Sequence, residues 1–230
     1  MRKYWIDAPS RARVEYGYDL IEGLGLFPET AELAAAFAPA NDRLLQALRR
    51  RDDADFALPS QRARLRVRDY EYDQAVRGLS RAVELADGGR RGAIHDLIFG
   101  SGYGQLVKAA GAAQVGRAER FQSWFAEIAD GRVEKLREEW RPKLQAAVDG
   151  LRQAAAAQQA AADAAAQARV AEEAAAVEHD LAVEKVFGEI RARLPKDAAR
   201  QAAIVPKPAG GSSRRSAPKA APEDAAAPRP

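Results

Sequence analysis

Cysteine is absent from all 230 residues, which removes disulfides, thiol nucleophiles, iron–sulfur clusters and thiolate zinc sites. Histidine is nearly absent: with only His95 and His179, any metal centre would have to be built mostly from carboxylates. β-Branched residues are scarce too, with 13 Val, 7 Ile and 1 Thr against 53 Ala. Strands draw on β-branched and aromatic side chains, so this composition argues against a β-rich fold. Long apolar runs are also missing. A membrane-spanning helix needs roughly 20 apolar residues, whereas the longest uncharged stretch of the alanine-rich zone, Gln153 to Ala162, is closed off by Arg152 and Asp163. The start, Met1-Arg2-Lys3-Tyr4-Trp5-Ile6-Asp7, is basic without an apolar segment behind it, so no signal peptide is expected. Together these absences point to a soluble, cytoplasmic protein with no cofactor and no transmembrane segment.

What is abundant is alanine and arginine; of 36 basic residues, 28 are Arg, and the formal net charge is only +3. No segment up to residue 195 is strongly of one sign. The densest positive excess lies in residues 196–230, with 7 basic and 3 acidic side chains. That stretch is rich in Pro, Ala, Gly and Ser, and only Ile204 and Val205 could anchor it, so a disordered tail is expected over 196–230.

The remainder reads as helix. Residues 1–28 form an N-terminal segment, and a helical bundle is expected over 29–195. Within it, Pro28-Glu29-Thr30 is a helix start, and Leu33, Phe37, Leu44, Leu45 and Leu48 follow helical spacing past Pro39. The run from Asp52 to Pro59 reads as a turn. Beyond it Leu65, Tyr72, Val76, Leu79 and Val83 form a coiled-coil seam that Gly88-Gly89 ends. This gives a first hairpin over about 29–87, a linker over 88–111, and a second hairpin over about 112–195.

In the second hairpin Phe121, Phe125, Ile128, Val133, Leu136, Trp140 and Leu144 line one face, and Val183, Val186, Phe187, Ile190 and Leu194 line another. Between them lies the alanine zone, with Ala154–Ala157 and Ala160–Ala162 among its runs. A fold-back is expected there or at Asp149-Gly150, bringing Phe125 against Ile190. Sliding the sequence by 88 or by 107 residues overlays the apolar positions of the two hairpins, which suggests a duplication. The fold class is therefore all-α: an antiparallel helical bundle or long coiled-coil hairpin.

Motifs with chemical meaning are few. The loop Gly100-Ser101-Gly102-Tyr103-Gly104 has the glycine content of a phosphate-binding turn, but no strand precedes it and no Walker lysine follows. His95-Asp96 and His179-Asp180 place an imidazole beside a carboxylate, yet adjacent residues on a helix do not face each other. The Glu-x-x-His pairs of a di-metal bundle are missing, since Gly92 and Ala176 stand three residues before the histidines. Arg62, Arg64, Arg66 and Arg68 spread around a helix and are followed at once by Asp69, Glu71 and Asp73. Lys207, Arg214, Arg215 and Lys219 are the candidate contacts for a polyanion.

The expected function is that of a non-enzymatic scaffold or adaptor, working through helix–helix contacts with a protein partner or with itself. The alternatives are binding of nucleic acid or another polyanion through the tail, and an enzyme with a pocket near His95 and the Gly100–Gly104 loop.

Overall fold

The computed structural model describes Tyr4, residues 7–100 and residues 102–207, and every regular element among them is helical. The elements are α1 (Ser10–Gly25), α2 (Ala31–Ala86), α3 (Ala93–Phe99), a 3-10 turn (Tyr103–Gln105), α4 (Ala112–Glu127), α5 (Glu134–Arg193) and α6 (Ala198–Ile204). The all-α expectation holds. Two compact units result. Unit 2 is Arg49–Ala171, and unit 1 takes the residues on either side.

The expected first hairpin does not form. α2 runs for 56 residues, straight through Asp52–Pro59 and Pro39. The reason lies in the phase of its buried seam. Phe37, Asn41, Leu44 and Leu48 are buried at alternating steps of four and three, and so are Tyr72, Val76, Leu79 and Val83. Arg51, Asp55, Leu58 and Arg62 carry the same steps across the gap to buried Leu65. An interior proline costs about 3 kcal/mol, because it removes one backbone bond and crowds the preceding turn. Pro39 and Pro59 are both exposed. Each therefore leaves the seam intact and surrenders its lost carbonyl bond on the side that water can reach.

The second hairpin exists but turns elsewhere. α4 ends at Glu127, the chain reverses over 128–133, and α5 then runs for 60 residues without a break. Asp130 holds the reversal, accepting from the Arg132 backbone N–H at 2.9 Å and pairing with its guanidinium at 2.7 Å. α4 returns antiparallel on α5, as the contacts Gln122–Gln145 and Glu119–Arg152 require. Neither Asp149-Gly150 nor the alanine zone interrupts α5, whose exposed Pro142 follows the rule of α2. With one hairpin replaced by a single helix, the idea of two duplicated hairpins is overturned.

Within each unit α2 and α5 pair antiparallel. In unit 1, Glu32 meets Arg193, Asn41 meets His179 at 3.1 Å and Arg43 meets Glu178 at 3.3 Å. In unit 2, Asp55 meets Arg169 at 2.7 Å, and Gly78 faces the Trp140 ring so closely that a Cβ there would stand 2.6 Å from it. Phe121 and Phe125 belong to the unit 2 core with Leu65, Tyr72 and Leu144. Ile190 belongs to the unit 1 core with Leu20, Leu24, Phe37 and Val183. The expected meeting of Phe125 with Ile190 is thus corrected, because an unbroken α5 assigns them to different cores.

Two further segments differ from expectation. The N-terminal segment supplies α1, whose Leu20 and Leu24 are fully buried. The tail does not begin at Pro195. Asp197 caps α6 by accepting from the Arg200 N–H at 2.9 Å, and Ile204 and Val205 are buried. Gly23 of α1 makes room for this: a Cβ there would stand 2.4 Å from the Ile204 carbonyl oxygen. The rest of the expected disordered tail, from Pro208 on, lies outside the described residues.

Pro59→Ala tests the unbroken α2. It restores a backbone donor within a continuous helix, so chemical denaturation should show a gain of about 1–3 kcal/mol. Were 52–59 a turn, the proline would be favourable there, and the same change would give no gain or a loss.

Candidate functional site

The most elaborate polar arrangement in the described residues surrounds His179, which has no exposed surface. α5 supplies His179 and Asp180, α2 supplies Asn41, α1 supplies Arg13 and Gly17, and Tyr4 reaches in from the N-terminal segment. The Tyr4 hydroxyl lies 2.9 Å from His179 Nδ1 and also bonds the Asp180 carboxylate. Arg13 Nη1 donates to Asp180 at 2.7 Å, and His179 Nε2 lies 3.1 Å from Asn41 Oδ1. Gly17 is indispensable to this approach: a Cβ would stand 2.0 Å from Asn41 Oδ1 and 3.0 Å from His179 Nε2.

The protons can be assigned by counting donors. Tyr4 has one proton, and the Asp180 carboxylate can only accept it. His179 Nδ1–H must then donate to the Tyr4 oxygen, which leaves Nε2 of a neutral ring as an acceptor. Asn41 Nδ2 is buried without a partner. Turning the amide over presents that nitrogen to Nε2 and pairs the two, while Oδ1 takes the buried position that has no partner. An imidazolium would satisfy Asn41 Oδ1 instead, but burial opposes it. Burial is the largest influence on the ring and holds its pKa down to about 4; Arg13 acts in the same direction and Asp180 against it. Tyr4 is raised above its ordinary value, first by burial and then by its bond to Asp180. With the imidazole sealed from solvent, this cluster locks three helices together and offers a substrate no access.

His95 is also buried, at 1% exposure. Its Nε2 lies 3.5 Å from Ser80 Oγ, at the limit of a hydrogen bond, and its Nδ1 has no partner. Asp96 stands 3.9 Å away with an exposed side chain, too distant to orient the ring. Asp87 organises the neighbouring backbone, accepting from the N–H groups of Gly92, Ile94 and His95 at 3.1, 3.1 and 2.7 Å. A cleft of about 470 Å³ does lie beside the glycine loop, lined by Gly102, Phe99 and Arg120 among others. His95 does not line it. Its ring packs instead behind the cleft wall, 5.1 Å from the ring of Phe99.

Of the candidate polyanion contacts, Lys207 is exposed at the end of the described residues, while Arg214, Arg215 and Lys219 lie outside them. Arg62, Arg64, Arg66 and Arg68 are all exposed on α2. Arg64 and Arg68 edge a groove of about 640 Å³ in unit 2. Ser60, Ala63 and Val67 of α2 form one wall and Gly150, Ala154 and Ala157 of α5 the other, so the alanine zone lines an open trough.

Sequence reasoning missed that both long helices carry a second, outward seam. On α5, in unit 1, Ala174, Val177 and Leu181 are exposed at steps of three and four, with Leu181 62% exposed. On α2, Phe56, Val67 and Tyr70 are exposed on the line that includes Ser60 and Ala63, with Phe56 82% exposed. Listing apolar residues by spacing finds these positions. Recognising them as a separate seam requires knowing which face is already covered. No protein-family model, curated protein or solved structure matches the chain.

The His179 cluster predicts a pH dependence. Because the folded-state pKa, about 4, lies below the ordinary 6.5, the unfolded chain takes up the proton first. Stability should be full above pH 6.5, fall as pH drops towards 4, and then level off, losing on the order of 3 kcal/mol through this group. His179→Gln should flatten denaturant midpoints over that window relative to the parent. Equal slopes in the two proteins would remove His179 as the cause.

Proposed function

We propose that the protein is a non-enzymatic helical scaffold that associates with a second copy of itself, the outward seam of α5 seating on the outward seam of α2. The observation that supports this reading is the charge beside the two seams. In heptad terms Glu173 and Glu178 flank the α5 seam at positions g and e. Arg64 and Arg66 flank the α2 seam at the equivalent e and g positions. Such flanking charges choose partners in helical assemblies. Two α5 seams together would oppose glutamates, whereas the mixed pairing sets Glu173 and Glu178 against Arg64 and Arg66, with Glu71 and Asp73 following one heptad further along α2. The trough edged by Arg64 and Arg68 also has small walls, which allow the Val177 and Leu181 side chains to enter between helices.

Light scattering on the full chain is the test. A mass above that of one chain, falling with added salt, is expected. Leu181→Lys should return the protein to a monomer. Glu173→Arg with Glu178→Arg should do the same, and adding Arg64→Glu with Arg66→Glu should restore association. A monomeric parent, or charge reversal without effect, overturns the reading.

A further inference from the structure

We infer that the cleft between α3 and α4 in unit 2 is a binding site for a flat aromatic ring carrying a phosphate, of mononucleotide size. Its volume, about 470 Å³, falls in the range of small-molecule sites. One face of α4 furnishes the recognition groups. Arg117, Arg120 and Trp124 follow one another at steps of three and four, so all three project to the same side. Phe121, on that same side, forms the floor, stacked on Phe99 of α3 with ring centroids 5.6 Å apart and planes 22° from parallel.

The chemistry of the lining selects the ligand. It contains two guanidiniums and no carboxylate. Arg117 places Nη1 3.3 Å from the Gln105 carbonyl oxygen, a long bond that fixes the side chain over the cleft and leaves its other donors for a ligand. Two forked cations three residues apart suit the several oxygens of a phosphate better than a single acceptor. Trp124 is half exposed, at 49%, so part of its indole is open to a ligand in the cleft. A base or other aromatic ring laid on it gains stacking and removes that surface from water. Neither element suffices alone: a bare phosphate would leave Trp124 wet, and a neutral ring would leave the arginines without an anion.

This site is independent of the self-association seams, and calorimetric titration of the full chain tests it. Adenosine monophosphate is the probe, with adenosine and inorganic phosphate as the two halves. The nucleotide should bind about tenfold or more tightly than either half, and the indole N–H signal of Trp124 should shift in the NMR spectrum. Arg120→Gln should weaken the nucleotide about tenfold while leaving adenosine unchanged. Trp124→Ala should weaken the nucleotide and adenosine together, and Trp124→Phe should recover most of the loss. Because Arg120 and Trp124 are surface residues, circular dichroism should match the parent in all three variants. Absence of nucleotide binding, equal binding of phosphate alone, or binding unaffected by Arg120→Gln would overturn the inference.

Discussion

The structure depends on a repeat of three and four residues kept without a slip along both long helices. On α2 that phase connects Phe37 to Val83, and on α5 it connects Leu144 to Ile190. Once the phase is held, every other feature must accommodate it. Pro39, Pro59 and Pro142 are tolerated because each is exposed, away from the seam. The alanine zone stays in register because Ala165 remains buried at 2% although it contributes little area. At about 25 cal/mol per Å², an alanine contact stabilises far less than a leucine contact. That middle stretch is therefore held by helix propensity and by the larger residues towards either end of α5.

A seam of repeating apolar residues has a weakness: it can shift by one heptad and lose little. The buried polar pair Asn41–His179 removes that freedom in unit 1. A shift of one heptad would place Asn41 opposite Glu172 or Val186 instead of the imidazole, leaving buried donors and acceptors unmatched. An unpaired buried polar group costs about 1–3 kcal/mol, more than such a pair adds when it is correctly made. The cluster thus contributes uniqueness more than stability, as a polar residue at a single core position does in coiled coils. Gly17 extends the same logic to α1, since only a residue without Cβ can lie over the pair.

How far the sequence reveals this architecture depends on the range of the signal. Helical content, the seam from Leu65 to Val83 and the stop at Gly88-Gly89 are local, and all can be read directly. The turn expected at Asp52–Pro59 was misleading because acidic residues and proline also occur on exposed helix faces. The phase of the seam across them was the stronger signal, and it was present in the sequence. The alanine zone misled in another way: a helix with nothing large to bury suggests a fold-back, but α5 finds its partner in α2. Of the His179 cluster, the sequence shows only the adjacent His179-Asp180 pair, because the bond from Tyr4 spans 175 residues and depends on how three helices meet. Ile204 and Val205 are the apolar anchors of the segment after Pro195 and both are buried, though two apolar residues are too few to reveal α6.

The outward seams follow from the same economy. A helix of α5's length that buries only small residues on its inner face near the middle has little affinity to spare. Large apolar residues on its outer face would then be a hazard unless charge restricted what could cover them. Val177 and Leu181 are flanked by Glu178, whose ion pair with Arg43 spans 3.3 Å between two side chains that are each more than half exposed. Exposed pairs of this kind contribute about 0–1 kcal/mol, so Glu178 can exchange Arg43 for another cation at little cost. In the proposed association, specificity would come from the sign of the flanking charges, and affinity from the few large side chains between them. Filling the trough walls with leucine in place of Ala154 and Ala157 would raise affinity for any apolar helix and erase that discrimination.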